Sequence, residues 1–290
     1  MLLPYVWLSL AIVWLWLPPQ VPARTPWSRF GVSAAWLALA IVHAVAVGIL
    51  FTAGIVAIAA FGLLCFAYWR QRSPPVDAVL TAGTILFSLA LMAHVVSGFS
   101  NTLIVRDAVL SPGAVPYTLF MNFDKGQIGL FLLAFGPPLI ASRADWAAML
   151  KDTLPAALVL IVLLMLCALL IGQVRFEPKR PDFLPIWLWS NLLFTSAAEE
   201  ALFRGVIQRR LQGSASTVAS RRAIAGLIAA AAIFGTAHYA GGLWSVVLAT
   251  IAGIGYGWVF WRTNRIEASI LTHFLVYTAH ILGFTYLALS

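Results

Sequence analysis

The stretch from Leu184 to Gln208, LPIWLWSNLLFTSAAEEALFRGVIQ, is long and apolar enough to cross a bilayer, yet it carries Glu199, Glu200 and Arg204. A span needs about 20 predominantly apolar residues. A charged side chain at bilayer mid-depth costs roughly 2.5 to 3.5 kcal/mol on insertion scales, so ionisable groups there line a cavity and have partners. The stretch therefore predicts a helix embedded in lipid, and within it the place where chemistry belongs.

The rest of the chain is written in the same way. Of its 290 residues, 62% are hydrophobic and only 10% charged, and the mean hydropathy is +0.93, which excludes a soluble domain. Apolar segments recur at Tyr5 to Leu17, Val32 to Leu50, Ala53 to Tyr68, Val76 to Val96, Gly126 to Ala141, Pro155 to Ile171, Leu184 to Gln208, Ala223 to Tyr239, Leu243 to Trp261 and Ile266 to Leu287. The expected fold is all-α, a polytopic transmembrane helical bundle of about 8 to 10 spans. Val32 to Tyr68 is nearly unbroken, but at about 1.5 Å per residue it would reach roughly 55 Å, so it must divide near Gly48 or Gly54. The first segment has no basic n-region and is followed by prolines rather than a small-residue cleavage site, which predicts a retained helix.

Basic residues in the breaks set the orientation. Arg24 and Arg29, Arg70 and Arg72, Arg143 and Lys151, Arg209, Arg210, Arg221 and Arg222, and Arg262 and Arg265 all fall on one side, expected to be cytoplasmic. Arg175, Lys179 and Arg180 fall on the other, so either the seventh segment is partly re-entrant or the rule is broken locally. The net charge of +8 resides in these breaks and needs only anionic headgroups as partners, not nucleic acid. Cys65 and Cys167 lie in separate apolar segments without ligand-spaced neighbours and read as core residues. Arginine outnumbers lysine fifteen to three, which points to a bacterial chain and so to a multi-pass protein of the inner membrane. The twelve tryptophans cluster near segment ends, as interfacial anchors do. The breaks Pro18 to Phe30 and Ser97 to Pro116 are too short to fold alone.

On a helix, Glu200 and Arg204 stand at i and i+4 in the favourable order for an ion pair. Glu199 points about 100° away and is left to partners on other helices, imidazoles first among them. A carboxylate so placed can serve as a base once water lies beside it. His238 ends the run Ile233 to His238, and His273 sits in Ile270 to Tyr277. His43 and His94 stand on apolar helices with no acid nearby in sequence and read as satisfied core or interface histidines. Gly253, Gly255 and Gly257 lie mid-span without a preceding strand, so they read as close helix packing rather than a nucleotide loop.

The order Glu199-Glu200-x-x-x-Arg204, then Phe234-x-x-x-His238, then His273 across consecutive helices resembles the CPBP family of intramembrane proteases. This is the CAAX protease and bacteriocin-processing group, also called the ABI family, which includes the type II CAAX prenyl endopeptidase. The resemblance covers roughly Leu184 to Leu287 and divides the chain into N-terminal helices of unassigned role (1–182) and a catalytic helical core (183–290) with a conical intramembrane cavity. It implies an endopeptidase in which Glu199, helped by His238, activates water while His273 stabilises the oxyanion, Glu200 and Arg204 support the helix, and Phe234 marks the second motif. The family places Asn or Asp four residues after the last histidine; here stands Tyr277, whose phenol can still donate a hydrogen bond. His280, on the same helix face, is a further candidate for that role.

The same resemblance admits a zinc site made by Glu199, His238 and His273. No His-Glu-x-x-His pair is present and the donors come singly from separate helices, so a metal-free glutamic mechanism without a cofactor is expected. The expected partners are the lipid bilayer and a membrane-embedded or lipid-linked peptide or protein substrate. For a bacterial member, that means leader sequences, bacteriocin-like peptides or C-terminal sorting anchors. The competing class is a non-proteolytic membrane protein, a proton-coupled transporter or a scaffold. Against a transporter, matched halves with paired broken helices are missing.

Overall fold

A computed structural model describes residues 1–17, 27–70, 73–213, 220–286 and 288–289, with the side chains of 27–29 left aside. Arg24, Arg72, the side chain of Arg29, most of the break from Pro18 to Phe30, and Leu287 lie outside the described residues. The protein is 73% helical, with ten helices among the described residues, in keeping with an all-α membrane bundle. Among the described residues, four helices are long and apolar enough to cross a membrane: Pro74–Met92, Arg143–Leu170, Tyr239–Thr263 and Ile266–Gly283. Leu3–Trp16, Phe30–Ala46 and Thr52–Tyr68 are apolar but shorter.

Two compact units divide the chain. The first holds residues 1–102, 120–141 and 193–206. Its helices are α1 (Leu3–Val13), α2 (Trp27–Ala46), α3 (Thr52–Tyr68), α4 (Pro74–Met92) and α5 (Phe123–Phe135), with the middle of a further helix, α7, that runs over 184–212. The long apolar run breaks where glycine was expected to break it. Gly48 turns with φ at +74°, and a Cβ on Gly54 would lie 2.4 Å from the carbonyl oxygen of Gly98. All of α5 except Lys125 is buried, packed among α1, α3 and α4 with Phe131 against Gly62. Thirteen residues span only about 20 Å, well short of a hydrocarbon core of about 30 Å. The fifth apolar segment is thus realised as a short helix enclosed by its neighbours.

The second unit holds residues 103–119, 142–192 and 207–290. Its helices are α6 (Arg143–Leu170), the two ends of α7, α8 (Arg221–Thr236), α9 (Gly242–Thr263) and α10 (Ile266–Gly283). Serine caps start two of them: Ser142 accepts from the Asp145 N–H at 3.0 Å, and Ser220 from the Ala223 N–H at 3.1 Å. The glycines of α9 serve close packing, as read: Cβ atoms on Gly253, Gly255 and Gly257 would fall within 3.1 Å of Ala231, Leu160 and Gln208 respectively. The break from Ser97 to Pro116 holds more structure than expected, because its Leu-Ile-Val run pairs with a second short apolar run. The result is a hairpin of β1 (Thr102–Ala108) and β2 (Tyr117–Met121). Leu119 of this hairpin packs with Leu184, Trp187, Ile281 and Tyr286. The segment after α6 runs beside the C-terminal residues, with Thr285 N–H donating to Arg175 O at 2.9 Å and Leu289 N–H to Gln173 O at 2.8 Å. Lys179 donates its ammonium to the Phe284 carbonyl.

The seventh segment is helical throughout 184–212. It is ordinary α-helix at Leu184–Ser190, Ala197–Glu200 and Arg209–Gln212, but widens to π-helix at Asn191–Ser196 and Ala201–Gln208. Wide turns of this kind are rare and collect at functional sites. Here they flank the two carboxylates.

Candidate active site

In the first unit, the expected ion pair is present: Arg204 Nε donates to Glu200 Oε2 at 2.9 Å, with neither side chain exposed. The neighbouring Glu199 has a partner that sequence reasoning missed. The Nζ of Lys125, on α5, lies 2.6 Å from Glu199 Oε1, with the two side chains 12% and 10% exposed. Small residues bring the two helices that close. A Cβ on Gly126 would strike Phe194 at 2.9 Å, and one on Gly129 would meet the backbone of Ala198 at 3.4 Å. Lys125 and Gly129 are at i and i+4, so the face that touches α7 is also the face that carries the ammonium.

The start of α5 is itself fixed. Asp124, 1% exposed, accepts from the Lys125 N–H at 2.8 Å and from Asn101 Nδ2 at 2.9 Å, and its other oxygen meets His94 Nδ1 at 2.7 Å. Asn101 Oδ1 in turn accepts from the Phe123 N–H at 2.8 Å. His94 is therefore not isolated from acid, as its sequence neighbourhood suggested. Its partner lies thirty residues further along the chain. His43 is the satisfied interface histidine expected, accepting from Trp7 Nε1 at 2.6 Å and stacked on that indole.

In the second unit, α8 and α10 bring together Phe234, His238, His273 and Tyr277. His238 Nδ1 lies 2.8 Å from the Phe234 carbonyl oxygen. A carbonyl only accepts, so Nδ1 carries the proton and Nε2 is left as the acceptor nitrogen. That Nε2 is 3.5 Å from the Tyr277 hydroxyl, at the outer limit of a hydrogen bond. That carbonyl belongs to the backbone, so the helical i, i−4 position and not the phenylalanine side chain provides the contact. The Phe234 ring also packs on both imidazoles, at 4.7 Å from His238 and 5.8 Å from His273. His273 is fully buried and stacks on Tyr256 at 4.7 Å.

Phe234, His238, Tyr256, Tyr277 and His280 line a cavity of about 620 Å3 within this unit, its walls otherwise mostly apolar. Val115 of the hairpin loop and Ala288 and Leu289 of the C-terminal segment close one end, joined by a Val115 N–H to Ala288 O hydrogen bond of 3.0 Å. His280 reaches the cavity as expected, but its Nε2 donates to the Thr285 carbonyl at 3.0 Å. Tyr277 is the residue that stands beside His238. Among the described residues, no three His, Cys, Asp or Glu side chains gather closely enough to hold a metal ion. Glu199, Glu200 and Arg204 belong to the first unit and the aromatic and imidazole group to the second.

Residues 181–279 match the family described as Type II CAAX prenyl endopeptidase Rce1-like. The matched third of the chain contains all seven residues singled out at the start, from Glu199 to Tyr277, and supports a membrane-embedded protease of the CAAX type. Neither a curated protein nor a solved structure matches the chain.

Proposed function

We propose that this protein is an intramembrane endopeptidase that hydrolyses a peptide bond in a membrane-associated substrate without a metal. Glu199 takes a proton from the attacking water, His238 assists through Nε2, and His273 and Tyr277 stabilise the oxyanion of the tetrahedral intermediate. Glu200 and Arg204 hold α7 in place. The observation that carries this reading is His238, whose Nδ1 is tied to the Phe234 carbonyl so that Nε2 faces a largely apolar cavity beside a tyrosine hydroxyl. An imidazole so held is set for proton transfer, and apolar walls suit the side chains of a membrane-inserted peptide. The Lys125 ammonium favours metal-free chemistry, because a divalent ion at Glu199 would have to share the carboxylate with a cation already at 2.6 Å.

Detergent-extracted protein, wild type against Glu199→Gln, tested for cleavage of membrane-inserted peptides separates the classes. Loss of cleavage in the folded variant is expected. A variant that cleaves as well as wild type sinks the assignment of Glu199, and a change in ion flux with no proteolysis in either protein favours the transporter class. Chelation and elemental analysis run beside it: stoichiometric zinc in active protein overturns the metal-free mechanism.

A further inference from the structure

We infer that Lys125 is a positioning residue of the same reaction, holding the Glu199 carboxylate in one place beside its ammonium, so that the N-terminal half of the chain supplies part of the catalytic apparatus. The inference rests on Glu199 being the base. Lys125 lies outside the matched segment, and three independent observations single it out.

The first is electrostatic placement. Lys125 is the third residue of α5, in the turn where helix N–H groups point and where a cation is disfavoured by the helix dipole. A lysine at that end needs a compensating anion, and Glu199 Oε1 at 2.6 Å is one. The second is chain economy: only three lysines occur among eighteen basic residues, with Lys151 exposed on α6 and Lys179 in the segment between α6 and α7. Lys125 alone of the three is on a helix otherwise wholly buried. The third is the bracing behind it. Asp124, Asn101 and the Phe123 N–H form a closed set of hydrogen bonds at 2.8 to 2.9 Å around the first turn, which fixes the helix start from which the ammonium extends. Gly126 and Gly129 fix the separation of α5 from α7 on the same face. A surface-type ion pair would need none of this.

A carboxylate buried without a counter-charge is costly, and a base displaced by about 1 Å can lose on the order of a hundredfold in rate. Lys125 answers both requirements at once. It contacts the base, so its loss should appear in turnover and not in binding.

The test is steady-state kinetics on purified Lys125→Met, Lys125→Gln, Lys125→Arg and Glu199→Gln in detergent, with thermal unfolding measured alongside. Lys125→Met is expected to lower kcat by about 10- to 100-fold per folded molecule with KM within about threefold of wild type. Lys125→Arg is expected to recover most of that loss, and Lys125→Met combined with Glu199→Gln to be no slower than Glu199→Gln alone, because both act through one carboxylate. A merely structural lysine would lower the unfolding temperature and leave kcat untouched. If Lys125→Met does not fold, Lys125→Gln, which keeps a donor without the charge, carries the same expectation. Wild-type kcat in either folded variant beside an inactive Glu199→Gln overturns the role of Lys125 and leaves Glu199 as the base. Wild-type kcat in Glu199→Gln overturns both.

Discussion

Replacing Arg204 by methionine should destabilise the protein far more than it slows it. The guanidinium and the Glu200 carboxylate are 2.9 Å apart and neither is exposed. An exposed pair would contribute only about 0 to 1 kcal/mol. Removing one partner of a buried pair leaves the other charge uncompensated and costs about 3 to 5 kcal/mol, against a total stability on the order of 5 to 15 kcal/mol. On the scaling of soluble domains, that loss lowers the unfolding temperature by on the order of 10 °C. Removing both charges in Arg204→Met with Glu200→Gln should restore most of it, since no lone ion is then buried. Thermal unfolding followed by circular dichroism in one detergent, over the four proteins of the double-mutant cycle, gives the coupling energy, expected at about 2 to 3 kcal/mol. Specific activity per folded molecule should stay within a few-fold of wild type. A single variant within about 1 kcal/mol of wild type, or a double variant no more stable than the single, would refute the reasoning. Complete loss of turnover in well-folded Glu200→Gln would exchange the roles of the two glutamates.

Two further outcomes are expected. Tyr277→Phe, which removes only the hydroxyl beside His238, should lower kcat by about a hundredfold with little change in KM, the usual cost of an oxyanion donor; stopped-time cleavage assays decide, and an unchanged kcat would remove Tyr277 from the site. Gly235→Ala should destabilise the α8–α9 contact by about 1 to 3 kcal/mol, because its Cβ would fall 1.9 Å from Thr250 Oγ1. Gly283→Ala, with no heavy atom within 4 Å of the added carbon, is the control, and equal unfolding temperatures for the two would contradict the packing.

Sequence alone shows the helices because apolar runs set off by glycine, proline or basic breaks mark them, although only four of those runs become, among the described residues, helices long enough to cross a membrane. It also shows Glu200 with Arg204, because an i, i+4 relation is local. The hairpin escapes it, since Leu103 to Val105 and Leu119 to Met121 are too short to signal against a background this hydrophobic. Lys125 with Glu199 and His94 with Asp124 escape it for another reason: they lie 74 and 30 residues apart, and nothing in either neighbourhood announces the other. Gly126 and Gly129, small residues on one face of α5, are the signal from which its close approach to another helix could have been read. The backbone carbonyl that His238 Nδ1 meets is one turn away in sequence, but the contact itself is seen only in the structure.

The widened turns of α7 have a consequence for how this helix tolerates change in length. Each wide turn holds an extra residue relative to an α-helical turn, so the direction in which Glu199 and Glu200 project is set by the number of residues between Leu184 and the pair. Deleting one residue from Asn191–Ser196 would let that stretch relax to an ordinary helix and leave the carboxylates pointing roughly where they do now, because the wide turn is what absorbs the extra residue. The same deletion at Ala197 or Ala198, in ordinary α-helix, has no wide turn to take it up and would turn the carboxylates by roughly 100° away from Lys125. A one-residue deletion should therefore be borne within Asn191–Ser196 and not at Ala197 or Ala198, and the width of the turns is as much a part of the site as the acids it presents.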